Sequence, residues 1–135
     1  MTAEAPAALA PGLEARIEKV VPREWTLVAY DPDLPAVFST PAMIGMMETA
    51  AARAVLPALP PGKISVGTRI EVDHLKAAPV GATVVATARL IEVNGRNLTF
   101  KVEARTGDVV IGQGRVFRAI VDRARFNGIA AGENS

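Results

Sequence analysis

The 135-residue chain contains no cysteine. Disulfides, cysteine-ligated zinc and thiol catalysis are thereby excluded. A single histidine, His74, also removes the multi-histidine metal motifs, and no metal site is expected. Aromatic residues make up 4%, too few for the stacking platforms that carry single-stranded nucleic acids. A ligand pocket must therefore be walled by aliphatic side chains and methionine. No apolar run approaches the ~18 residues of a membrane span. Residues 1–11 are rich in Ala and Pro but lack a basic leader and a continuous apolar stretch, which argues against a signal peptide and for a cytoplasmic protein. Charge of one sign is missing too. Lys and Arg number 15 against 14 Asp and Glu, so no concentrated basic field exists for nucleic acid or an anionic membrane.

What is present suits one folded domain. Half of the residues are hydrophobic and 21% are charged, and a chain of this length builds one core rather than two. The expected domain spans 12–129, with loose tails at 1–11 and 130–135. Leu13, Ala15 and Ile17 alternate with Glu14, Arg16 and Glu18, the period of a half-buried strand. Pro22, Pro32 and Pro35 break the chain into an irregular flap, with a short helical turn expected around Trp25–Ala29. Thr40-Pro41 then has the grammar of a helix start, with Thr40 as cap. From Ala42 to about Leu56 the chain is apolar on nearly every side, so the helix should be enclosed. Four strands follow: Val66–His74, Ala82–Val93, Leu98–Arg105 and Val109–Val121. Asn94-Gly95 and Gly107-Asp108 supply tight turns. Short connections favour antiparallel neighbours. The expected architecture is α+β, a curled antiparallel sheet of about five strands around one long central helix.

Three side chains fit this frame awkwardly. Glu48 sits mid-helix among Met46, Met47 and Ala50, where a buried carboxylate needs a partner; otherwise it occupies an exposed stripe beside Arg53. His74 ends the face shared by Val66, Thr68, Ile70 and Val72, and should point towards the helix. It is either a hydrogen-bonded structural residue or, beside a carboxylate, a proton-transfer group. Thr40 either caps the helix or presents a hydroxyl at its partly positive end, where a developing anion is stabilised. Thr40 and Glu48 lie ~12 Å apart along a helix axis, so only a group between them could meet both. Gly67 permits a close approach to the backbone. Gly112 and Gly114 read as a bend in the last strand rather than a phosphate loop, and Arg118 shares inward parity with Val116 and Ile120, facing either a pocket or an edge ion pair.

Several segments, taken in order, carry a resemblance: Val37-Phe38-Ser39-Thr40-Pro41 leading to Met46-Met47-Glu48, Val66-Gly67-Thr68 leading to His74, and Ala78-Pro79-Val80-Gly81. Val93 to Phe100, Ile111-Gly112-Gln113-Gly114 and Arg118 continue it. From Leu13 to Phe126 the chain resembles the hotdog-fold acyl-CoA thioesterases, most closely the fluoroacetyl-CoA thioesterase-like branch. The resemblance implies a homodimer, with a dimer of dimers as the further assembly, and acyl-CoA sites at the subunit interface. It assigns Thr40, Glu48 and His74 to a catalytic set and puts Gly67, Arg118 and Phe38 at the substrate. No cofactor is implied beyond the CoA of the substrate. The fluoroacetyl-specific relative carries phenylalanines in its flap, whereas residues 31–36 here are Asp-Pro-Asp-Leu-Pro-Ala, so fluorine selectivity is not expected.

The resulting expectation is hydrolysis of a short or medium acyl-CoA thioester. The helix start and the Gly67 N–H would bind the carbonyl. His74, oriented by Glu48, would serve as base for either the Thr40 hydroxyl or a water. The alternatives are a non-catalytic acyl- or CoA-binding dimer, and a hydratase on the same fold, which lacks support because no Asp-to-His pair has the spacing those relatives use.

Overall fold

The computed structural model describes residues 8–133; residues 1–7 of the expected tail at 1–11, and residues 134–135 of that at 130–135, lie outside them. Five strands form one antiparallel sheet: β1 (Glu14–Val20), β2 (Lys63–His74), β3 (Thr83–Asn94), β4 (Asn97–Thr106) and β5 (Val109–Asp122), in the order β1-β3-β4-β5-β2. The long helix α1 (Thr40–Val55) lies on one face, and a short α2 (Arg123–Ala130) follows β5. Leu13, Ala15 and Ile17 pack against the core as their alternation predicts. Residues Arg23–Trp25 and Leu27–Ala29 form two 3-10 turns. Backbone bonds from Ser39 to Trp25 and from Phe38 to Ala78 tie the flap to the body.

Two of the local differences from the sequence expectation shape the site. The helix cap is Ser39, not Thr40: the Ser39 side chain accepts from the Ala42 N–H at 3.3 Å. Thr40 is the first helical residue, so its hydroxyl is not spent on capping. The second feature is a bulge in β2, where Gly67 pairs with Arg118 but Arg69 pairs with Phe117. The extra residue, Thr68, inverts the side-chain alternation. Ser65 and Gly67 before the bulge, and Val72 and His74 after it, all face α1, while Val66 does not share the His74 face.

Nor is α1 enclosed on every side. Met43, Met46, Met47, Ala50, Ala51, Ala54 and Val55 are buried, while Pro41, Gly45, Thr49 and Arg53 form an exposed stripe at i, i+4 spacing. The core beneath is aliphatic and methionine-rich, with Phe38 and Phe100 as its largest members. Both β1 and β2 are edge strands, and β2 is exposed from Gly67 to Glu71. No helix among the described residues is long and apolar enough to cross a membrane.

Candidate active site

The sheet and helix assemble two polar clusters, and both rest on α1 and β2. At the start of α1 the Thr40 hydroxyl oxygen lies 2.7 Å from Nδ1 of His74, the last residue of β2. The imidazole stands edge-on to the Phe38 ring, with centroids 6.4 Å apart and planes at 77°. Its Nε2 is buried and has no hydrogen-bond partner. These residues open onto a cleft of about 260 Å³, walled by Leu27, Val37, Phe38 and Leu75. Phe38 is 1% exposed and backs the histidine ring. Gly112 faces His74 across the β2–β5 ladder, where a Cβ would overlap the Met43 thioether.

The second cluster centres on Arg118, buried to 7% exposure. Its Nη1 donates to Glu48 Oε1 at 3.0 Å, its Nε to Ser65 Oγ at 2.9 Å and its Nη2 to the Ser65 carbonyl at 2.8 Å. An arginine removed from water needs such compensation. The Glu48 carboxylate in turn lies flat over Gly67, where a Cβ would sit 2.6 Å from both carboxylate oxygens. Glu48 is therefore neither on the exposed stripe nor paired with Arg53.

Within one chain the clusters are separate. Gly67 and His74 are seven residues apart on an extended strand, roughly 20 Å, and Glu48 is two helical turns beyond Thr40. Thr40, His74 and Phe38 come together; Glu48, Arg118 and Gly67 come together. Ser65 was not singled out by the sequence. The uninterrupted alternation from Val66 to His74 turns Ser65 outward, and the bulge between Gly67 and Arg69 brings it to the inner face.

A family model described as the fluoroacetyl-CoA-specific thioesterase FlK matches residues 21–124. The chain belongs to this thioesterase family. A fluoroacetyl-CoA thioesterase of Streptantibioticus cattleyicolor is 45% identical over 95 residues, 70% of this chain and 68% of the relative. The solved structure of the fluoroacetyl-CoA thioesterase FlK superposes with a TM-score of 0.85 at 36% identity, covering 96% of this chain and all of that one. A thioesterase superfamily member from Thermus thermophilus gives 0.83 at 30% identity, with 91% of each chain covered. A hot-dog-like protein from Thermanaerovibrio acidaminovorans gives 0.79 at 25% identity over 90% of each chain. The hotdog fold and the thioesterase class expected from the sequence both stand.

Proposed function

We propose that this FlK-family chain hydrolyses a short or medium acyl-CoA thioester to the free acid and CoA, with Thr40 and His74 as its reacting pair. The observation that carries this reading is the 2.7 Å contact between the Thr40 hydroxyl and His74 Nδ1 at the start of a helix. A nucleophile within hydrogen-bond reach of a base is the arrangement that acyl transfer needs. Nδ1 takes the proton from Thr40 or from a water in the cleft, oxygen attacks the thioester carbon, and the C–S bond breaks. The imidazolium returns the proton to the leaving thiolate. On the Thr40 route, water then hydrolyses the acyl-enzyme by the same proton path.

The oxyanion is met at the helix terminus. Pro41 has no N–H, the Ala42 N–H goes to Ser39 Oγ and the Met43 N–H to the Ser39 carbonyl. The Thr40 N–H is what this terminus offers, reinforced by the helix dipole. Stabilisation of this kind commonly contributes about 3 kcal/mol per donor. The scheme draws on side chains, backbone N–H groups and water, and on no cofactor besides the CoA of the substrate. A cytoplasmic location goes with that substrate class. Because segment 31–36 has no aromatic residue, fluoroacetyl-CoA is not proposed as a preferred substrate.

Glu48, Gly67 and Arg118 enter through a homodimer. An exposed edge strand seeks a partner, and a two-fold axis pairs identical edges antiparallel. Pairing β2 with its copy so that Gly67 of one protomer opposes His74 of the other brings the Glu48 carboxylate of the partner subunit towards the imidazole, where it stabilises the imidazolium. The Gly67 N–H and the uncommitted N–H groups of Arg118 then face the acyl group. Thiol release from a panel of acyl-CoAs tests the reading. Turnover that survives both His74→Ala and Glu48→Gln removes it, and tight binding without thiol release favours an acyl-CoA-binding protein.

A further inference from the structure

The position of the Glu48 carboxylate is set by contacts that lead back to Ser65. The carboxylate is bounded below by the Gly67 backbone and on one side by Arg118 Nη1 at 3.0 Å. The guanidinium is in turn held by two bonds to one residue, Nε to the Ser65 hydroxyl and Nη2 to the Ser65 carbonyl. Arg118 lies across the ladder from Gly67, and Ser65 lies across from Ile120. The long arginine side chain therefore slants along the sheet to reach Ser65, and its direction depends on that grip. Without the hydroxyl, the guanidinium keeps a single fixed acceptor there, the Ser65 carbonyl, and can swivel about it. Nη1 then no longer defines where the carboxylate sits. Ser65 is 9% exposed, so water cannot readily replace the lost acceptor.

We propose that Ser65 is a positioning residue for thioester hydrolysis, acting through Arg118 to hold the Glu48 carboxylate against Gly67. The inference rests on the reading that Glu48 takes part in the reaction. A carboxylate that acts only in the transition state affects turnover and not substrate affinity, so loss of its positioning should divide unequally between kcat and KM. A purely structural serine would instead lower the amount of folded enzyme and leave the kinetic constants of the remainder alone.

The test compares Ser65→Ala, Ser65→Thr and Glu48→Gln in the full-length protein, by steady-state thiol release from one acyl-CoA that the wild type turns over, with a melting temperature for each. Expected for Ser65→Ala is a kcat lowered about tenfold, the size of one hydrogen bond to a charged group, with KM within about twofold and melting close to wild type. Ser65→Thr, which restores the hydroxyl, should recover most of that kcat. If Ser65→Ala turns over as wild type while Glu48→Gln does not, or loses activity only in proportion to its folded fraction, the positioning role is overturned although the reading of Glu48 stands. If Glu48→Gln itself turns over as wild type, the underlying reading fails and Ser65 falls with it.

Discussion

The Thr40 hydroxyl and His74 Nδ1 meet at 2.7 Å although 34 residues separate them in the chain. The contact exists because the preceding serine caps the helix. Ser39 takes the Ala42 N–H, which leaves Thr40 at the first helical position with its oxygen directed at the end of β2.

This division of labour predicts opposite phenotypes for neighbouring hydroxyls. Ser39→Ala should destabilise the protein by about 1 kcal/mol, as loss of a cap does, measured by urea unfolding. Thr40→Ala should unfold at the wild-type midpoint yet lose thioesterase activity, and Thr40→Ser should keep it. Intact-protein mass spectrometry of wild type quenched during turnover then separates the two routes: an acyl adduct on Thr40 is expected if its oxygen attacks, and none if water does.

Gly67 is where the helix carboxylate touches the sheet. Alanine there puts a Cβ 2.6 Å from both Glu48 oxygens. The Gly67 backbone is one that other residues can adopt, since its φ is not positive. The carboxylate must move, and Arg118 holds it in place. Gly67→Ala should fold and lose about tenfold or more in kcat; a variant with wild-type turnover would show that the Glu48 position is not critical.

Gly112 predicts a stability effect instead. A Cβ at this position overlaps the buried Met43 thioether and lies 3.2 Å from the Asp73 carbonyl. Gly112→Ala should cost about 1–3 kcal/mol of stability through overpacking, read as a lower urea midpoint with an unchanged m-value.

The proposed dimer makes a prediction that a single chain cannot. Mixed dimers of His74→Ala with Glu48→Gln, each inactive alone, should regain up to about half of the wild-type activity if histidine and glutamate come from opposite protomers, because one of the two sites is then intact. Were both groups drawn from one chain, the mixture would stay inactive. A monomeric mass at micromolar concentration would contradict the dimer itself.

Much of this was legible in the residues. The alternation of β1 and β4, the turn signals that bound β3 and β5, and the apolar run of α1 placed these elements to within a residue or two, because periodicity records a buried face and turn residues mark where it stops. The cap was misplaced because Ser39 and Thr40 are both good capping residues ahead of Pro41, and local preference does not choose between them. The bulge at Thr68 was invisible: Val66, Thr68, Ile70 and Val72 alternate without interruption, and the shift appears only when β2 is laid against β5. The pairing of Glu48 with Arg118 spans 70 residues. Inward parity was readable for Arg118, but no local rule joins the two. Ser65 escaped notice for the same reason, since its meaning comes entirely from the arginine that reaches it.

Turnover is the most direct test of the Thr40–His74 pair. Free thiol should be released from short or medium acyl-CoAs by the wild-type protein, and His74→Ala, folded and with similar KM, should be slower by at least about a hundredfold, the lower end of what a positioned general base contributes. Wild-type rates from His74→Ala, or no thiol release from any member of the panel by the wild type, would contradict it.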